Sequence, residues 1–418
     1  MPGPGMELLG QEEIDEAMEV LESGFLFRYG ISIGDEMDPR FKAKVFKLEE
    51  EVAKLAGVGH AVAVNSGTSA LLASLAAIGV GPGDEVIIPG YTFVASISSI
   101  VFSRGVPVFA EIDKSFNLDP EDVAAKITPR TKAIMPVHMA GNPAKMDEIM
   151  KVAKDNDLLV VEDSAQAFGA TYKGRFCGSI GDIGAFSFNA YKTLTCGDGG
   201  MAITDDEELY KRAFAFHDQG HSPLRGGVEV GERPFIGLDF RLTEIQGAIM
   251  LAQLKKLDYL TSTLRKNKAR YKEILSDLPG MEFREITDPE GEIATMLTMI
   301  MPTAEIAEKI CEEIGSQVIA KAGWHVYNNM EHVLAQRTVT EDGCSFHCPL
   351  YKEKGGNTKY SKGMLPKTDA LLDRSLNISI GVSDPNLSAG FGTTIKSSPD
   401  EIEQKATQFK EVAAKYLK

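Results

Sequence analysis

Residues 158–200 read LLVVEDSAQAFGATYKGRFCGSIGDIGAFSFNAYKTLTCGDGG. Two apolar runs, LLVV and GAFSF, each lead straight into chemistry: Glu162-Asp163 follows the first, and Lys192 with a glycine-rich loop follows the second. Short, uninterrupted apolar runs bounded by turn residues mark strands buried on both faces. Upstream, AVAV, EVIIP, VPVFAEID and KAIMPV recur from Ala61 onward at similar intervals, with helical stretches between them. Strand, helix, strand at that spacing predicts an α/β fold, a mostly parallel sheet covered by helices on both faces. Ligands of such sheets bind at the carboxyl ends of the strands, where loops and helix N-termini gather. Asp163 and Lys192 both stand at such ends.

Working outward, QEEIDEAMEVLESG carries Ile14, Met18 and Leu21 on one helical face and stops at Gly24. Phe41, Val45, Leu48, Val52 and Leu55 give a second amphipathic helix ended by Gly57. Both faces are expected to pack. From Thr243, the apolar positions Met250, Leu254, Leu257, Leu264, Tyr271, Ile274 and Leu278 predict one long helix closed by Pro279-Gly280. It reads as a bridge to a smaller α+β C-terminal domain, with strand signals in ATMLTMIMP and SLNISIG and a last helix of alternating charge. The expected division is an N-terminal segment, 1–30, packing on the smaller domain, a large α/β domain, 31–260, and the small domain, 261–418.

The chain has 418 residues, 43% of them apolar and 25% charged, which is the composition of a folded globular protein with a sizeable core. Its 44 Lys and Arg against 60 Asp and Glu give a formal charge of −16, so nucleic acid is not an expected partner. No apolar run approaches the roughly 18 residues of a membrane span. The five cysteines are scattered and odd in number, and nothing at the start reads as a signal peptide, so the reducing cytoplasm is the expected compartment. CSFHC at 344–348 lacks a second ligand pair of zinc spacing, and no metal is expected.

Three stretches carry the candidate chemistry. Ser66-Gly67-Thr68 lies between a strand and an Ala/Leu-rich helix, where free N–H groups and hydroxyls make a seat for phosphate; a plain helix cap explains the same residues. Asp163 ends a very apolar strand, a costly place for a carboxylate unless it meets a cation or several donors; capping a helix is the alternative. Lys192, at a strand end, reads alone as a surface lysine, but in a partly desolvated pocket it would lose proton affinity and react with an aldehyde. Phosphate seat, carboxylate for a basic ring and poised lysine together describe pyridoxal 5′-phosphate.

SGTSAL, PGYTFVAS, VEDSAQAFGA, FSFNAYKTLTCGDGG and GLDFRLTEIQGA, in that order, resemble the DegT/DnrJ/EryC1/StrS aminotransferases, fold-type-I pyridoxal phosphate enzymes that mostly make amino sugars and aminocyclitols. The resemblance implies that Lys192 holds the cofactor covalently and moves the reacting proton. Asp163 would pair with the pyridine nitrogen, Phe93 and Ala165 would sandwich the ring, and Gln166 would approach its hydroxyl. Gly67, Thr68 and Ser187 would bind the phosphate, with Arg241 reaching the site from a partner subunit in a homodimer with shared active sites. Gly197-Asp198-Gly199-Gly200 replaces the family's frequent Gly-Glu-Gly-Gly.

The implied reaction moves an amino group from glutamate or glutamine to a keto or aldehyde sugar, in amino-sugar or cell-surface polysaccharide biosynthesis. A sugar dehydratase on the same fold is the alternative, although dehydratases resembling this family carry histidine at the lysine position. GFLFRYG, VHMAGNPAKMDEI, KTLTCGDGG, FREITDPEGE and Tyr327-Asn328-Asn329 are similar to the 8-amino-3,8-dideoxy-manno-octulosonate transaminases. On the substrate side, His217, His221, Arg28, Trp324, His325 and Tyr327 are candidates, each with a structural role as the alternative.

Overall fold

The computed structural model describes residues 3–30, 32–33, 36–223, 233–340 and 343–417. Its main sheet has seven strands: β1 (His60–Val64), β2 (Glu85–Pro89), β3 (Val106–Ala110), β4 (Thr131–Ile134), β5 (Leu159–Asp163), β6 (Ile183–Ser187) and β7 (Gly200–Thr204). They lie in the order β1-β7-β6-β5-β4-β2-β3. All neighbours are parallel except β7, which runs antiparallel to both β1 and β6. The six apolar runs are the six other strands. The seventh, GMAIT, opens with a glycine directly after the lysine loop and is too short and mild to separate from that loop by pattern.

The sheet is buried on both faces, and the period of two shows which residue faces where. Val62, Val64, Ile88, Val161 and Ala185 pack with Leu71, Leu75, Ile97 and Phe214. Those residues come from helices α4 (Gly67–Ala77), α5 (Val94–Phe102) and α8 (Glu207–His217), labelled in chain order after α1 (Pro4–Glu7), α2 (Gln11–Ser23), α3 (Lys44–Ala56), α6 (Pro120–Lys126) and α7 (Met146–Asp155). On the other face Ala63, Ile87, Val160, Phe186 and Ile203 meet Leu48 of α3 and Ile149 of α7.

Past Thr243 the structure differs from the single long helix expected. The chain forms α9 (Glu244–Leu254) and α10 (Leu257–Leu275), interrupted at Lys255-Lys256. No proline or glycine marks the break. At the break, Lys256 Nζ donates to Leu8 O at 2.8 Å and pairs with Glu13 at 2.7 Å, which ties this point to the N-terminal segment. α9 then packs along α2 and α3, while α10 packs on α11 (Pro399–Ala413). A second, antiparallel sheet of β8 (Glu282–Phe283), β9 (Met296–Ile300) and β10 (Ser375–Ser379) contains both C-terminal strand signals.

The N-terminal segment also sits elsewhere than expected. α2 lies along α9, and Gly3 N donates to Ala190 O at 2.9 Å, so its contacts fall within 31–260 and not on the smaller sheet. Its amphipathic face points outward: Ile14, Met18 and Leu21 are 54%, 44% and 50% exposed. The buried side of α2 is instead Glu13, Val20 and Ser23, with Glu13 held by Gln253 and Lys256. In α3 the expected face is buried at Val45, Leu48 and Val52, and exposed at Leu55.

Candidate active site

A cavity of about 420 Å³ opens at the carboxyl ends of β1, β2, β5 and β6. Its lining brings together Gly67, Thr68, Phe93, Asp163, Ala165, Gln166, Ser187 and Lys192, eight residues that the sequence scatters over 126 positions. Each is the last residue of a strand or lies in the segment that follows one, which is why the pattern of strand ends located them.

The phosphate seat is the N-terminus of α4. Ser66 is its N-cap and accepts from Ser69 N at 3.1 Å. Gly67 N and Thr68 N, the next two amides, make no hydrogen bond to a described residue and remain free for an anion. Gly67 must be glycine because a Cβ there would stand 2.6 Å from Ser187 Cβ and 3.0 Å from its Oγ. The strand that delivers the lysine is thereby pressed against the seat. The capping and phosphate-seat readings are compatible: Ser66 caps, and Gly67 and Thr68 are left over.

Glu162 and Asp163 point to opposite sides of β5. Glu162 is buried, yet His138, Gly178 N, Ile180 N and Gly181 N all donate to it, at 2.6–2.9 Å. Because His138 Nδ1 accepts from Ala144 N, its Nε2 carries the proton. Burial pushes the Glu162 carboxyl up, but these donors hold it below the usual carboxylate range. Asp163, facing the cavity, accepts from Ser96 Oγ at 2.6 Å and Ala165 N at 3.1 Å. Burial raises its pKa in spite of these bonds and of Lys192 nearby. It is a buried carboxylate still short of a cation, the partner that a protonated pyridine nitrogen supplies.

Lys192 is half-buried, with Nζ 5.9 Å from the centre of the Phe93 ring and no hydrogen bond or ion pair to a described residue. Desolvation lowers its pKa against the opposing pull of Asp163 and Asp384, which keeps more of the amine neutral and nucleophilic. The loop around it is bound from within. Lys192 N donates to Asn189 O, Asn189 Nδ2 to Asp198 Oδ1 at 2.8 Å, and Thr195 Oγ1 to Phe188 O at 2.9 Å. The shorter Asp198 in place of glutamate therefore closes the loop through Asn189.

The other expected residues divide. Phe93 forms an aromatic wall with Trp324 and with His325, ring centroids 6.5 and 5.2 Å away. Ala165 lines the cavity, and Gln166, also in the lining, accepts from Ala140 N at 2.9 Å through Oε1 while its Nε2 lies 3.5 Å from His325 Nε2. Trp324 and His325 arrive because Thr92 N and Val94 N bond to their carbonyls. Burial drives His325 down to about 3, so it is a neutral imidazole.

Arg241 does not line this cavity; it is paired with Asp218 and Asp239, both at 2.5 Å. Arg28 and His217 are in the core: Arg28 binds Glu49 at 2.9 Å, and its Nη1 donates to His217 Nε2 at 3.0 Å. Tyr327 donates to Asp369 at 3.0 Å in the interior, and His221 is buried outside the cavity lining. The sequence reading missed Ser96, Asp384 and Asn386. The Asp-Pro-Asn turn at 384–386 was the available signal for the last two.

These residues fit pyridoxal phosphate: a buried carboxylate without a cation for its nitrogen, a cradle that a Cβ would fill for its phosphate, and a lysine of lowered proton affinity between them. The fold and site define a pyridoxal phosphate-dependent aminotransferase. The sequence model of the DegT/DnrJ/EryC1/StrS aminotransferase family matches residues 9–382, and the chain belongs to that family. It is 43% identical over 265 residues to a GDP-perosamine synthase of Caulobacter vibrioides, covering 63% of this chain and 69% of the relative. A spore coat polysaccharide biosynthesis protein of Bacillus subtilis is 41% identical over 283 residues, 66% of this chain and 69% of the relative. Among solved structures, 3-amino-5-hydroxybenzoic acid synthase superposes with a TM-score of 0.78 at 26% identity, covering 99% of both chains. The protein is a sugar aminotransferase. Among the described residues no helix is long and apolar enough to cross a membrane.

Proposed function

We propose that the enzyme transfers an amino group from glutamate or glutamine to a keto or aldehyde sugar, with 8-oxo-3,8-dideoxy-manno-octulosonate as the favoured acceptor. The observation that carries the transfer reading is Lys192 facing Asp163 across one cavity, with Gly67, Thr68 and Ser187 beside them. The octulosonate reading rests on the likeness of GFLFRYG, VHMAGNPAKMDEI and FREITDPEGE. The similarity to a GDP-perosamine synthase favours a second acceptor class, nucleotide-linked keto sugars.

Bound pyridoxal phosphate supplies an electron sink for the carbon that loses its proton. Lys192 Nζ, its proton affinity lowered by burial, takes that proton and returns it. Asp163 would keep the ring nitrogen protonated, and the free amides of α4 would hold the phosphate end. Phe93 and Ala165 would hold the ring between them, with Trp324 and His325 extending the wall that Phe93 begins. The donor leaves as its 2-oxo acid in one half-reaction, and the acceptor's carbonyl oxygen leaves as water in the other.

The same reading extends to the assembly. Ile14, Met18 and Leu21, with Leu26 and Phe27, form an outward apolar surface that a second copy would cover. Arg241 lies on that surface, its guanidinium 5.0 Å from the centre of the Phe27 ring, where it can serve the partner's phosphate seat. In this homodimer residues 31–260 bind the cofactor and 261–418 form the smaller domain. Five free thiols and water-soluble substrates suit the cytoplasm.

Borohydride reduction and peptide mapping should find the cofactor on Lys192, and Lys192→Ala should abolish both that bond and turnover. Glutamate should bleach the visible band of the holoenzyme, and the true acceptor should restore it. The screen pits 8-oxo-octulosonate against GDP-linked keto sugars. Conversion of a hydroxy keto sugar with no consumption of amino donor would replace the transferase reading by a lyase.

A further inference from the structure

The first described residues of the chain lie on the backbone that carries Lys192. Besides the bond from Gly3 N to Ala190 O, a Cβ on Gly3 would stand 2.5 Å from the Tyr191 carbonyl and 2.6 Å from Lys192 O. A Cβ on Gly5 would stand 2.8 Å from Thr193 O and 2.9 Å from Leu194 Cα. Ordinary contact begins at 3.4 Å, so either methyl group forces arm and loop apart by roughly 0.5 to 1 Å in a close-packed interior. Neither glycine has a positive φ that would require glycine for backbone reasons. Close approach to the lysine loop accounts for both.

The other side of the arm is anchored where α9 breaks. Lys256 binds Leu8 O and Glu13, and Gln253 Nε2 donates to Glu13 Oε1 at 2.8 Å. Gln253 Oε1 in turn accepts from Thr195 N at 3.4 Å, so one fully buried side chain ties the arm to the lysine loop. The Lys192 amine has no hydrogen-bonding partner of its own among the described residues, and its position in the cavity is therefore set by its backbone.

We infer that residues 3–13 are a positioning element for the reaction: Gly3 and Gly5, braced by Gln253 and Lys256, press on residues 190–195 and fix where Lys192 Nζ stands. The inference rests on Lys192 being the cofactor lysine. It concerns positioning only, since no atom of the arm lines the cavity.

The test compares Gly3→Ala, Gly5→Ala and Lys256→Met with Gly81→Ala, a control glycine with nothing within 4 Å of the added methyl. Lys256→Met releases the arm without adding an atom against the loop, and so stands in if a glycine variant fails to fold. A displacement of about 1 Å should lower kcat by about tenfold to a hundredfold, with KM for glutamate within about twofold of the parent. In cofactor-free protein, acylation of Lys192 by a small amine-directed reagent, followed by peptide mass against pH, should begin at higher pH in the arm variants. Wild-type kcat and labelling profile in folded arm variants would overturn the inference, as would losses that follow only a fall in Tm. Borohydride fixing the cofactor to another lysine would instead overturn the assignment of Lys192, whatever the arm does.

Discussion

Glu162 and Asp163 are neighbours in the chain and opposites in circumstance. One has four donors and needs nothing more; the other, equally buried, has two and is left with charge to spend on a ligand. Asp163→Asn keeps the shape and removes the charge, so the cofactor should remain bound while turnover falls by about a hundredfold or more; equilibrium dialysis and steady-state rates separate the two. Near-normal turnover would refute the role. His217 supplies a second test. Burial, and the Arg28 cation next, lower its pKa from 6.5 to about 3. Between those values the unfolded chain binds a proton that the folded chain refuses, so stability is complete above pH 6.5 and falls as pH drops. His217 contributes about 1.4 kcal/mol per pH unit to the slope, and urea titrations of His217→Gln should lose that share while the share of His325, lowered likewise to about 3, remains. Asp163 was legible because a carboxylate at the end of an apolar strand is anomalous, and Lys192 because it follows a second such strand in a chain that also offers Asp163 and the Ser66-Gly67-Thr68 turn. The Arg28–His217 contact was not, because it joins residues 189 apart, and no local pattern records such a pairing.

At the scale of elements, α3 begins without a capping side chain of its own: its N-cap is Ala43. The Glu244 carboxylate, 200 residues away, takes its place, accepting from Lys44 N at 2.6 Å and Val45 N at 3.1 Å. Gly247, one turn further along α9, lets the helices close, since a Cβ there would stand 2.9 Å from Val45 N. Glu244→Ala leaves two amides unpaired and should cost about 1–3 kcal/mol, read by denaturant unfolding, with exchange accelerated first at Lys44 and Val45. The six parallel strands announced themselves by uninterrupted apolar runs. The break between α9 and α10 did not, because both residues at it keep right-handed helical dihedrals and the apolar period runs through it intact. α2 misled for a related reason: periodicity reports that a face will be covered, and says nothing of which molecule covers it.

For the whole molecule, the proposed covering of the outward face of α2 by a second copy ties assembly to activity. Met18→Glu with Leu21→Lys adds charges to that surface and touches no part of the cavity. Sedimentation should show the parent as a dimer and the double variant as a monomer, with weaker retention of cofactor if Arg241 serves the partner's site. A monomeric variant of undiminished activity would break the link between the two. The antiparallel strand β7 bears on how the molecule comes to hold its cofactor at all. It is the last of the seven strands in the chain and the one wedged between β1 and β6, the strands that lead to Gly67 and end in Ser187. Pairings this distant in sequence are slow to form. Cofactor capture by a refolding chain is therefore expected to lag behind the gain of helical signal.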